Sequence, residues 1–188
     1  MPLYAVVLVM QLNTYIAYSV SPQLQRIIFS LVFLTTAAFP VLTAMILHQK
    51  GMIRSYEMET IAERRIPFLA AVVCYIICYY LLLRLPVPRM LSLMVLGATI
   101  TVFVAWLLSY RWKISIHMIG IGGLAGMMFG LSQVLNAELE LMVVGIIFIS
   151  GLLGTARMQL GAHSQAQIYT GFAVGFITEW LILRWFTS

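Results

Sequence analysis

The stretch A-R-M-Q-L-G-A-H-S-Q-A-Q-I-Y-T-G, residues 156–171, separates two long apolar runs, and its reading governs the rest of the chain. It holds Arg157, His163 and the glutamines Gln159 and Gln167, with Gly161 between the two basic residues. Polar and ionisable groups at a membrane boundary are costly, so their presence marks function by default. Across Gly161 the chain can leave one helix, turn and begin another. That arrangement aims a fixed positive charge and an imidazole at one small anion.

Composition fixes the class. Of 188 residues, 62% are hydrophobic and 9% are charged, and the mean hydropathy is +1.00. A soluble domain carries roughly 25% charged residues, so this chain cannot cover itself with a water-facing surface. The expectation is an all-α, polytopic membrane helix bundle of about seven spans (six to seven), forming a single domain over residues 1–188. The net charge is +5, but the basic residues are scattered through short loops. A nucleic-acid surface would need a continuous basic patch, so no nucleic-acid partner is expected. The acids are Glu57, Glu59, Glu63, Glu138, Glu140 and Glu179, with no aspartate at all. This excludes an aspartyl-phosphate mechanism and an aspartate proton relay. Cys74 and Cys78 lie four residues apart in one apolar run and read as packing residues, since two thiols do not make a zinc site. No positively charged segment precedes the first apolar run, so a cleavable signal peptide is not expected.

Spans can be placed outward from the polar break. The runs beside it are about Leu141 to Thr155 and Gln165 to Phe186. Upstream, a fifth span over Ile116–Leu135 carries Gly122, Gly126 and Gly130 every four residues, a stripe that lets helix backbones approach closely. Gly171 and Gly175 repeat the pattern on the last span. Earlier spans run from about Met90 to Tyr110, Pro67 to Leu83 and Ile27 to Leu47, the last kinked at Pro40. Ser21-Pro22 is a helix-start signal. The first apolar run, about Leu3 to Val20 with Gln11, Asn13 and Thr14, is read as a further span. His48 to Ile66 is the one long polar connection, and its alternating charges predict a short interfacial helix over E-M-E-T-I-A-E-R-R, with Lys50, Arg64 or Arg65 as the candidate to point into the site against a plain salt-bridged surface loop. Two spans separate Arg65 from His117, and two more separate His117 from Arg157. Three polar elements therefore meet at one membrane face, with His48 on the same side.

Several of these residues carry a resemblance. Arg157 and His163, spaced with five residues between them, match the last signature of the type 2 phosphatidic acid phosphatase and vanadium haloperoxidase superfamily: Ser-Arg, five residues, His, three residues, Asp. Ala156 stands in the serine position and Gln167 in the aspartate position. Ile114-Ser115-Ile116-His117 resembles the middle signature, Pro-Ser-Gly-His, in keeping Ser115 and His117. The first signature, a lysine, six residues, then Arg-Pro, corresponds to Met58 and the interrupted Arg65-Ile66-Pro67. The similarity covers roughly residues 50–175.

The resemblance implies a lipid-phosphate phosphatase of the acid-phosphatase type, a multi-pass protein of the bacterial inner membrane. It would hydrolyse a phosphomonoester or diphosphate of a lipid, an isoprenyl diphosphate among them, through a phosphohistidine. His163 would be the nucleophile, His117 the general acid, and Gln167 the residue that orients the nucleophile. Arg157, Arg65, Lys113 and Ser115 would hold the phosphate oxygens. No metal or other cofactor is implied. Two other classes stay open: a non-enzymatic binder of phosphorylated lipid head groups on the same basic face, and an ion site built from His48, His117 and His163.

Overall fold

The computed structural model describes residues 2–12, 18–56, 58 and 60–187. Among these it forms seven helices. α1 is Pro2–Gln11, α2 is Pro22–Gln49, α3 is Ile61–Leu82, α4 is Arg89–Leu108, α5 is Ile116–Leu135, α6 is Glu140–Gln159 and α7 is Gln165–Thr187. Six of them, α2 to α7, are long and apolar enough to cross a bilayer. The outer surface agrees with that solvent. Along α6, Leu141, Val144, Phe148 and Leu152 form an exposed stripe of large apolar side chains, which lipid accepts and water does not. The chain is a multi-pass membrane protein.

Of the first apolar run, expected as a span over about Leu3 to Val20, the described helix covers Pro2–Gln11, about 15 Å at 1.5 Å per residue. There α1 buries Ala5, Val6 and Val9 inside the bundle. Asn13 and Thr14 of that run, and Glu57 and Glu59 of the expected interfacial helix, lie outside the described residues.

The polar connection also resolves differently. No separate interfacial helix precedes Pro67 in the described residues; α3 begins at Ile61 and runs straight through the proline. Thr60 caps it, its Oγ1 accepting from the Glu63 N–H at 3.4 Å, and this early start places Arg64 and Arg65 on the helix. Ser21 caps α2 ahead of Pro22, as its sequence signals. The irregularity expected at Pro40 is a π-turn over Leu34–Ala38, just before the proline that cannot donate to the regular ladder.

The closest helix pair is α5 on α7, and the glycines make it so. A Cβ on Gly122 or Gly126 would collide with the carbonyl oxygen of Phe172 or Phe176, and one on Gly175 with that of Ile119. One on Gly171 would come within 2.9 Å of the Ser115 carbonyl. Those neighbours are backbone and cannot step aside. The seam holds α7 in register with α5 and pins the Ser115 turn beside the start of α7.

Candidate functional site

Four helix ends build one polar cluster, each by its own local chemistry. α6 carries Arg157 in its last turn and stops in a Schellman motif. Gly161, at φ +63°, donates to the Met158 carbonyl at 2.9 Å, and Ala162 donates to the Arg157 carbonyl at 3.1 Å. That left-handed step is one an L side chain resists, and it turns the chain toward His163.

The start of α7 is a capping box. The Gln167 N–H faces Ser164 Oγ at 3.4 Å, and the Ser164 N–H donates to Gln167 Oε1 at 3.2 Å. The same Oε1 lies 3.1 Å from His163 Nδ1. Because Oε1 already accepts from a backbone N–H, the amide orientation is fixed, and Nδ1 must be the donor toward it. The proton sits on Nδ1, and the lone pair is left on Nε2.

His163 is buried, at 7% exposure. Burial is the main cause holding its imidazole below the usual range. The Gln167 hydrogen bond opposes the shift, while the charges of Arg64, Arg157 and Lys113 reinforce it. The ring is therefore neutral at pH 7, with three cations near it.

Of the arginines in the polar connection, Arg64 is the one that enters the cluster. It is 2% exposed, donates from Nε to the Met58 carbonyl at 2.8 Å, and donates from Nη1 to the Ile114 carbonyl at 2.9 Å. Its guanidinium is close enough to feel that of Arg157. Arg65, the expected phosphate ligand, turns the other way: its guanidinium carbon lies 4.7 Å above the Tyr110 ring, and its carbonyl accepts from Trp106 Nε1 at 3.1 Å. The reason is helical phase. Arg64, Phe68, Val72, Tyr75, Cys78 and Leu82 form the buried stripe of α3, and Arg65 is one step off it. That spacing of three and four residues was the signal available in the sequence.

Of the other expected residues, Ser115 lies at the cluster, fully buried, with its N–H directed at the Gln167 carbonyl at 3.5 Å. Lys113 acts electrostatically on His163. His117 is exposed. At 100° per residue it lies about 160° around α5 from Ile119, whose carbonyl meets α7 at Gly175, so it faces away from the α5–α7 seam. His48 belongs to its own turn, with Nδ1 3.1 Å from the Ile53 carbonyl and its ring 4.7 Å from Tyr56. Among the described residues no three His, Cys, Asp or Glu side chains gather to hold a metal ion, which leaves the three-imidazole ion site without geometric support.

Buried side-chain polar atoms without a hydrogen-bond partner number three among the described residues: Ser115 Oγ, Arg157 Nε and Glu179 Oε2. Such orphans are rare and call for a reason. Two of the three are donors in this one cluster, beside a neutral imidazole and two further cations. An anion with several oxygens is the species that would satisfy them. Compared with protein-family models, with curated proteins and with solved structures, the chain finds no match, so the chemistry of the cluster has to be argued from its own residues.

Proposed function

We propose that this face binds the phosphate of a lipid phosphate or isoprenyl diphosphate and hydrolyses it through a phosphohistidine, in the manner of the type 2 phosphatidic acid phosphatases that its motifs resemble. The observation that carries the reading is the His163 environment: Nδ1 tied to Gln167, Nε2 free, and Arg64, Arg157 and Lys113 around it. Nε2 attacks phosphorus and forms the N–P bond as the P–O bond to the lipid breaks. The guanidinium of Arg157 and the Ser115 hydroxyl, both with unpartnered donors, take the non-bridging oxygens as charge builds on them. His117 protonates the leaving oxygen when the lipid enters from the exposed flank of α5. Water then releases inorganic phosphate from His163. On this reading the protein sits in a bacterial inner membrane.

One observation favours a second reading, a head-group binder without turnover. Gln167 is neutral and already committed to the capping box, so it orients the imidazole but offers no charge to a phosphohistidine. Loss of the corresponding carboxylate in serine proteases lowers kcat about 10⁴-fold. The two readings separate in vesicles holding the purified protein with phosphatidic acid or an isoprenyl diphosphate. Hydrolysis predicts phosphate release that His163→Ala abolishes while head-group binding persists, and that Arg157→Ala weakens together with binding. Release unchanged in His163→Ala would reject the nucleophile; binding with no release in the parent selects the second reading.

A further inference from the structure

The polar cluster stands over two apolar grooves. The first, of about 500 Å³, lies between α2, α3, α4 and α5, with Val41, Phe68, Ala71, Val102 and Ile116 on its walls. It begins under Arg64. Phe68 is one helical turn deeper than that arginine, and Met58, whose carbonyl accepts from Arg64 Nε at 2.8 Å, also lines the groove. The second groove, of about 400 Å³, lies between α5, α6 and α7, with Met118, Gly151, Gly154, Ile168 and Phe172 on its walls. It begins under Arg157, at the adjacent Met158 and at Gly154 one turn deeper. At 100° per residue Met118 stands about 160° around α5 from Ile116. The grooves therefore flank the start of α5 on two sides, each headed by one arginine, and the two guanidiniums are close enough to act on one another.

Both grooves have the depth of one leaflet. Along α3 the first runs from Pro67 to Tyr75, about 12 Å, and along α6 the second runs from Met158 back to Ile147, about 16 Å. Half of a bilayer's hydrocarbon core is about 15 Å. Each groove is also open at its flank, where Val41 of the first is 58% exposed and Tyr169 of the second 67%. Walls of this kind suit hydrocarbon chains, and the cations at the head of each groove select an anionic lipid from the neutral ones around it. A lipid with one chain, anchored at the cluster, fills one groove only. A lipid with two chains joined at one phosphate fills both.

We propose that the site takes a lipid phosphate with two hydrocarbon chains, one in each groove, and its phosphate over the start of α5 between Arg64 and Arg157. This rests on the reading of the cluster as a phosphate site and narrows it, because an isoprenyl phosphate or diphosphate has one chain. The chains lie in hydrocarbon whether bound or free, so the grooves select through packing and not through transfer from water.

The test uses the full-length protein in detergent micelles with three radiolabelled lipids at equal mole fraction: dioleoyl phosphatidic acid, its one-chain counterpart oleoyl lysophosphatidic acid, and farnesyl phosphate. All three carry a phosphate monoester, so they differ in their chains. Phosphatidic acid should bind about fivefold tighter than either one-chain lipid, a size suited to a preference supplied by packing alone. Ala71→Phe puts a ring into the first groove. Gly151→Phe, at a position where a Cβ meets nothing within 4 Å, puts one into the second. Each should remove the preference. Equal binding of the three lipids, tighter binding of farnesyl phosphate, or a preference that survives in either folded variant would overturn the proposal and leave the phosphate reading standing. Binding of none of the three would overturn the phosphate reading and this proposal with it. The comparison of lipids on the parent needs no variant, so a variant that fails to fold leaves it decisive.

Discussion

At its amino-terminal end α7 surrounds an imidazole with an acceptor and three cations, whereas about 21 Å further along the carboxyl of Glu179 has no partner on one oxygen. The difference follows from where each group sits on the helix. The first turn has free N–H groups, and a preceding loop can bend side chains back onto them. His163, Ser164 and Gln167 use that freedom, so the amide that caps the helix also sets the imidazole tautomer. In mid-helix every backbone group is already engaged in the ladder. A polar side chain there depends on other helices, and those around Glu179 offer mostly glycine and apolar residues beside Tyr75 and Thr101. The first site is thus satisfied from within and leaves donors over for an anion; the second leaves one carboxyl oxygen without a hydrogen bond.

Breaking the seam that both sites share should have the largest effect. Gly126→Leu drives a side chain into the Phe176 carbonyl, and overpacking against backbone should cost about 3 kcal/mol or more. Gly151→Leu on α6, where a Cβ meets nothing within 4 Å, should stay within about 0.5 kcal/mol of the parent. Thermal unfolding in detergent compares them, and equal stability of the two variants would show that the α5–α7 contact does not hold the bundle together.

A smaller effect sharpens the first site alone. Arg64→Met removes the donors to the Met58 and Ile114 carbonyls. Hydrogen bonds from a charged group are worth about 1.5–3 kcal/mol, and a loss of that size is expected. Arg65→Met should cost less than about 1 kcal/mol, since a cation–π contact at an exposed ring is worth about that much. The same unfolding measurement applies, with phosphate binding read alongside: it should weaken in Arg64→Met and hold in Arg65→Met. The reverse order would return Arg65 to the site.

The pH dependence comes next. The imidazole of His163 is held below its ordinary value of about 6.5, and attack requires the neutral form. The acid limb of phosphate release should therefore fall below pH ~6.5. Gln167→Glu keeps the capping box, which accepts either residue at that position, and adds a negative charge that favours imidazolium. The limb should then move toward higher pH while release above it increases. Gln167→Asp should show the same direction, reduced by its shorter reach. A limb that does not move in folded Gln167→Glu would detach residue 167 from His163.

The smallest expected effect lies in the cap itself. Ser164→Ala removes the hydroxyl that meets the Gln167 N–H and should cost about 1 kcal/mol. If the amide loses its hold, the Nδ1 tautomer should loosen too, visible in nitrogen NMR of a labelled His163. A tautomer unchanged in Ser164→Ala would mean that His163, not the cap, orients Gln167.

Much of this was legible in the chain. Residues such as Gly122, Gly126 and Gly175 announced a close helix pair because only a missing side chain permits that approach, whatever surrounds it. Gly161 between Arg157 and His163 announced a turn, and the spacing of His163 and Gln167 placed them one helical turn apart. Ser164-x-x-Gln167 was equally readable as a capping box, a local pattern overlooked beside the motif that contains it. The choice of Arg64 over Arg65 was legible only with the helix's true start in hand, because moving the start from Pro67 to Ile61 decides which arginine shares the stripe of Phe68 and Val72.

By itself the sequence determined that the chain fills a membrane, that its polar elements share one face, and that α5 and α7 each carry a glycine stripe for close packing. These follow from composition, crossing parity and local sterics, which depend on no distant contact. Tertiary structure alone decided that Arg64 and not Arg65 turns inward, that α5 pairs with α7, and that Tyr75, Gly123 and Glu179 line one cavity. Those outcomes depend on how four or five helices rotate against one another, and the periodicity of a single apolar helix leaves that rotation undetermined when nearly all of its faces are hydrophobic.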